Sequence, residues 1–246
     1  MLMRWQRGFS LAEMAIVLVI VGILMASGLG ALRGQLSAQR LRESKLMLER
    51  ANEALLGFAL ANNRLPCPAN NLGVESRDVV TNRCVNAVPA FASFGDLPWQ
   101  TLGLPELDPW GQRLRYQVTT FAAAAPANIG DYAQRNPAAT PACGDAIAGQ
   151  KPCFTLLQSG NLVVRNFAGQ SLVTNAVAVV FSEGGNGLGT SAQEAENRNA
   201  DANFVQDVQQ DAPNPIVNPQ PVFDDVLIWI PTTILNYRLT NAGRLP

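Results

Sequence analysis

Eight carboxylates stand between Glu183 and Asp225 (residues 183, 194, 196, 201, 207, 211, 224 and 225) against a single cation, Arg198. Side-chain oxygens crowded in this way can hold a hard divalent ion such as Ca²⁺ when the loop that carries them is ordered. Asp224 and Asp225, beside the apolar run "VLIWIP", are the first candidates, with Asp201 and Glu196 behind them. No spacing here is that of an EF-hand, and the competing reading is a solvated acidic loop. The adjoining "GGNGLGTS" (184–191) has the glycines of a phosphate loop but no Walker lysine, so it is read as a turn.

Sulfur is the second reactive element. The four cysteines are Cys67, Cys84, Cys143 and Cys153. An even number outside the helical N-terminus, with spacings that match no zinc signature, suits two disulfides in an oxidising compartment. Pairing by proximity, Cys67 with Cys84 and Cys143 with Cys153, is favoured among the three connectivities. The chain contains no histidine. That removes Ser-His-Asp and Cys-His catalysis, imidazole metal ligands and histidine pH switching together. With no visible nucleophile–base pair, an enzyme is not expected. From Asn63 to Pro246, 11 Lys/Arg stand against 15 Asp/Glu, a net charge of −4. Nucleic-acid binders carry a basic footprint, so no nucleic-acid partner is expected.

The third feature is one carboxylate in an apolar setting. Glu13 opens the uncharged run Met14–Leu32, 19 residues, which as a helix would reach about 28 Å, close to the hydrocarbon thickness of a bilayer. A lone carboxylate there is usually kept for a function and usually has a partner. A conventional signal peptide would use "MLMRWQR" as its basic region and "SGLGA" as its cleavage site, but the apolar stretch exceeds the usual length of roughly 7–15 residues. A plain anchor leaves Glu13 without a purpose. Charge counting does not orient the span, because Arg4 and Arg7 precede it while Arg33, Arg40 and Arg42 follow it.

The stretch "RGFSLAEMAIVLVIVGIL" resembles the class III signal of type IV prepilins and type II secretion pseudopilins. The resemblance implies cleavage by a prepilin peptidase between Gly8 and Phe9, N-methylation of Phe9, and pairing of Glu13 with the N-terminal amine of a neighbouring subunit. It further implies a single span in a bacterial inner membrane and a periplasmic C-terminal domain. Extraction by an inner-membrane assembly platform would then carry the subunit into a fibre with other pilin or pseudopilin subunits. More loosely, "LPELDPWGQRLRYQV" and "VVFSEGGNGLGTSAQEAENRNADANF" are similar to stretches of the major pseudopilin of type II secretion, whose calcium site lies in the region the second one resembles. Long Pro/Ala/Asn-rich insertions around 121–153 and 183–224 favour a minor or specialised subunit of a pilus or a secretion pseudopilus. A tip-located adhesin or substrate-binding subunit is the alternative, and a membrane-anchored periplasmic enzyme stands further back.

These features require positioning elements. Only glycines interrupt the helical pattern between Phe9 and Asn62. Leu41, Ser44, Leu48, Ala51, Leu55 and Phe58 recur at three- and four-residue spacing, one face of a helix. Strands are expected at 113–120, 161–166, 176–182 and 225–231, with turns at "DPWG" and "QSGN" and a last helix over 232–239. The expected fold is α+β: a long N-terminal helix, transmembrane then amphipathic, packed on a small antiparallel sheet with long loops. The segments are a leader (1–8), a transmembrane half-helix (9–32), an amphipathic half-helix (33–62) and a globular domain (63–246). Trp99, Trp110 and Trp229 are read as core or loop anchors rather than a ligand platform.

Overall fold

The computed structural model describes residues 10–78, 80–85, 87–88, 92–120, 128–145, 150–187, 191–209 and 223–245, without the side chains of 24–34, 87–88 and 92. The chain divides into two units, Met1–Glu43 and Ser44–Pro246.

The first unit holds the start of helix α1 (Leu11–Asn62). Its described side chains from Leu11 to Ile23 are all exposed, Leu11 at 91%. The helix opens on a reciprocal cap: Ser10 N–H donates to Glu13 Oε2 at 2.9 Å and Glu13 N–H donates to Ser10 Oγ at 3.2 Å. Among the described residues, no helix is long and apolar enough to cross a membrane. The span expected at 9–32 runs from Phe9, outside the described residues, into 24–34, whose side chains are not described.

In the second unit, α1 buries Ser44, Met47, Leu48, Ala51, Leu55, Leu56 and Ala59. The period of three and four is the expected one, and the stripe is broader than expected by Met47, Leu56 and Ala59. Lys45, Glu49, Arg50 and Glu53 are exposed. The helix stops where Asn63 takes a left-handed conformation (φ 56°), a position that Asn tolerates better than most residues. Pro66 follows three residues later.

Among the described residues, seven strands form one sheet: β1 (Ala87–Val88), β2 (Ala92–Asp96), β3 (Arg115–Thr119), β4 (Leu162–Arg165), β5 (Ser171–Ser182), β6 (Asn203–Val205) and β7 (Val226–Pro231). Short helices α2 (Trp99–Leu102) and α3 (Ala192–Arg198) interrupt them, and α4 (Thr232–Asn241) closes the chain. β5 organises the sheet: it pairs antiparallel with β3, β4 and β7. Every residue of β5 from Ala176 to Ser182 is buried, which is why "AVAVVFS" is a continuous apolar run rather than an alternating one. Leu162, Val164, Ala176, Val179, Phe181, Phe204 and Leu227 form a core cluster on it.

The expectation of a small antiparallel sheet is corrected in two respects. The described residues give the sheet seven strands, and β4 pairs with β6 in parallel. α3 and β6 also give regular structure to the stretch read as an insertion at 183–224. A parallel partner reached by a long connection leaves no hairpin signal in the sequence.

Candidate functional site

Asp108 is where the two halves of the site meet. In the "DPWG" turn its Oδ1 accepts from the backbone N–H groups of Trp110 and Gln112, both at 2.9 Å. Its Oδ2 accepts from the Ser182 hydroxyl at 2.5 Å. Ser182 Oγ in turn accepts from Gly184 N–H at 3.2 Å. The turn before β3 is thereby fastened to the end of β5, and two stretches distant in sequence form one loop cluster. Gly184 is left-handed (φ 63°), and a Cβ there would lie 2.4 Å from Asp224 Cγ. Only glycine fits that approach.

Asp224 closes the loop. Its Oδ2 accepts from Gly185 N–H at 2.7 Å and from Asn186 N–H at 3.1 Å. Glu194 lies alongside, wholly buried in the first turn of α3, where it completes a capping box with Ser191. Glu194 Oε1 accepts from the Asn186 side-chain amide (3.0 Å) and from Asp224 N–H (3.1 Å). Asp225, 2% exposed, accepts from Asn197 Nδ2 at 2.7 Å. Asn197 is itself buried and fixed: it donates to Val205 C=O (3.1 Å) and accepts from Val205 N–H (2.7 Å), completing the outer edge of β6. α3 therefore positions both Glu194 and the amide that holds Asp225.

Glu194, Asp224 and Asp225 each place a carboxylate oxygen within 4.8 Å of the others. The one cation of this stretch, Arg198, pairs through Nε with Glu183 at 3.0 Å. Burial raises the Asp225 carboxyl to about 8, against the hydrogen bond from Asn197 and with help from the charges of Glu194, Asp224 and Glu183. Burial likewise raises Asp224 to about 6, although the Gly185 and Asn186 N–H groups oppose the rise. Asp224 Oδ1 and Asn186 Oδ1 are buried and find no hydrogen-bond donor among the described residues. Three hard carboxylates with two orphaned buried oxygens beside them fit a cation of the Ca²⁺ type.

The structure thus brings Asp224 and Asp225 together, as neighbours of a residue the sequence reading had only counted, Glu194. It does not bring Asp201 and Glu196 to them. Those two meet on the far side of α3, joined through Asn199 Nδ2, which donates to Glu196 Oε2 (2.9 Å) and Asp201 Oδ2 (3.1 Å). The signal that could have selected Glu194 is "SAQE" (191–194), a Ser-x-x-Glu capping box that turns its Glu back over the helix start.

Cys67 is bonded to Cys84 and Cys143 to Cys153, the pairing expected from proximity. Gly8 and Phe9 lie outside the described residues, whereas Glu13 sits in the cap of α1. Trp110 lines Gly185, Trp99 stacks under the Arg113 guanidinium, and Trp229 packs on the main core, all in anchoring positions.

Residues 3–29 match a family described as the prokaryotic N-terminal methylation motif. No curated protein and no solved structure gives a significant match to the chain.

Proposed function

We propose, with the methylation motif at residues 3–29 as premise, that this chain is a pilin-like structural subunit, a minor pilin or pseudopilin. A prepilin peptidase cuts between Gly8 and Phe9 and methylates Phe9. Residues 9–32 then hold the chain in the inner membrane with the domain periplasmic, until the assembly platform adds it to a type IV pilus or a secretion pseudopilus. The observation that carries this reading is the coincidence of the motif with Glu13 in a helix whose described apolar side chains, Leu11 to Ile23, are all exposed. Apolar side chains exposed on all faces of a helix call for lipid or for other helices. Within such surroundings an opposite charge offsets much of the penalty of a carboxylate and sets register. The subunit role needs no catalytic group. Intact-mass measurement of membrane-extracted protein should find an N-methylated Phe9 start, and a start near Leu32 would refute the reading.

A second reading concerns the loop cluster. Glu194, Asp224 and Asp225 would hold Ca²⁺, with Asn186 Oδ1 beside them, and the ion would neutralise the three carboxylates. The orphaned Asp224 Oδ1 is the observation that favours it. The ion's role would be to hold the Ser182–Asn186 turn to the start of β7. Isothermal titration with CaCl₂ tests it directly. No heat at millimolar Ca²⁺ would leave a proton-neutralised cluster in its place.

A further inference from the structure

Arg64 joins the two disulfide-closed segments through one guanidinium. It lies two residues beyond α1 and is 5% exposed. Nη1 and Nη2 donate to the two oxygens of Glu75 at 2.9 and 2.8 Å, and Glu75 stands between Cys67 and Cys84. Nε donates to Asp145 Oδ1 at 2.6 Å, and Asp145 stands between Cys143 and Cys153. Each acid also has a second partner, for Glu75 one within its own segment. Glu75 Oε2 accepts from Cys67 N–H at 3.2 Å, and Asp145 is bound a second time by Arg135 Nε at 2.7 Å. Arg77, bridged to Cys84, donates to Asn82 C=O and to Ala133 C=O, the latter ahead of the second segment in the chain.

A bidentate guanidinium is directional, and this one is spent on both acids at once. If either segment opens, Arg64 is left with a nearly buried charge facing one carboxylate instead of two, a situation penalised far more than an exposed one. Closing one disulfide holds one acid in place, positions Arg64, and so presents a pre-formed partner to the acid of the other segment.

We infer that Arg64 couples the two disulfides, so that the segments around Cys67–Cys84 and Cys143–Cys153 form and open as one redox-sensitive unit. The geometry that carries this is the single buried guanidinium shared between Glu75 and Asp145. The device stands apart from the assembly reading and from the calcium cluster. Its consequence is that a chain exposed to a reducing compartment loses both segments together rather than one at a time.

The experiment equilibrates detergent-extracted full-length protein in buffers of reduced and oxidised dithiothreitol. Each reduced reagent molecule gives two electrons and two protons to one disulfide, which yields two cysteine thiols and the reagent's cyclic disulfide. Alkylation and mass mapping then count the open pairs. The equilibrium constant for opening Cys67–Cys84 is compared between the wild type and a Cys143→Ser/Cys153→Ser variant. Coupling predicts about tenfold easier opening in the variant, within the range of roughly 5- to 150-fold typical of linked sites. The same factor must appear in the reverse measurement, on Cys143–Cys153 in a Cys67→Ser/Cys84→Ser variant. Arg64→Met should bring the ratio to one. Asp145→Asn, which weakens one leg and leaves Arg64–Glu75 whole, decides the matter if Arg64→Met does not fold. A wild-type ratio of one, or a tenfold ratio that survives Asp145→Asn, would overturn the inference.

Discussion

Replacing Asp225 by Asn should make the ion-free protein more stable at pH 8 and remove most of its pH dependence between pH 4 and 8. The carboxyl is 2% exposed and its pKa is raised from 3.8 to about 8. The folded state therefore holds a proton that the unfolded chain releases, and the sign follows. The contribution of this group is most favourable below about pH 4, where it is protonated in both states, and falls as pH rises towards 8. From 3.8 to about 8, at about 1.4 kcal/mol per pH unit, this one group destabilises the ionised fold by up to roughly 6 kcal/mol. Relaxation of the loop would reduce that figure. Asparagine keeps an oxygen that can accept from Asn197 Nδ2, so the edge of β6 stays completed. The assay is urea unfolding followed by tryptophan fluorescence at pH 5, 6.5 and 8, with chelator and with Ca²⁺. Wild type should lose stability with pH in chelator and regain it with Ca²⁺, which binds the folded state by mass action. An Asp225→Asn protein no more stable than wild type at pH 8 in chelator would refute the electrostatic account.

Glu13→Leu should leave membrane anchoring and processing at Phe9 intact while the processed protein fails to enter fibres, as measured by the ratio of sheared fibre to membrane fractions. Removing one partner of a buried pair typically destabilises by about 3–5 kcal/mol. Ser182→Ala removes the hydroxyl that donates to buried Asp108 at 2.5 Å. It should lower unfolding stability by about 2 kcal/mol, as expected for a hydrogen bond to a charged group, whereas a change in urea midpoint within error would show the link to be idle. Gly184→Ala places a Cβ against Asp224 at a left-handed backbone position. It should destabilise by about 1–3 kcal/mol and weaken Ca²⁺ binding in the same titration.

Much of the fold was legible because a few residues leave no alternative. The apolar period from Ser44 to Leu55, the uninterrupted "AVAVVFS" and "VLIWIP" before Thr232 each correspond to an observed element. β2 was missed because "ASFGD" has no alternation and contains a glycine. β6 was missed because three residues beside acidic and amide side chains carry no strand signature, and its partner is β4, reached only after β5 and α3. At the site, the adjacent pair Asp224–Asp225 was visible in sequence because it abuts a buried strand. Glu194 was not, since its place in the site depends on a contact with Asp224, 30 residues further along the chain, that only the folded loop creates. Glu196 has the right chemistry on the wrong face of α3, and Asp201, beyond the helix end, meets Glu196 rather than the cluster. Residue type points to a ligand, but helix phase decides whether it arrives.

The completed edge of β6 has a bearing on storage. The proposed role, a subunit held before assembly, calls for one sanctioned way of joining its neighbours. Open strand edges are the commonest unsanctioned way, because they template sheet growth between copies. Here Asn197 occupies both the donor and the acceptor of Val205 like a one-residue strand. On the other flank, the Leu227 N–H is taken by Gln206 Oε1, and Pro231 has no N–H to offer. At Val205 and Leu227 a side-chain amide thus stands where a neighbouring strand would otherwise pair.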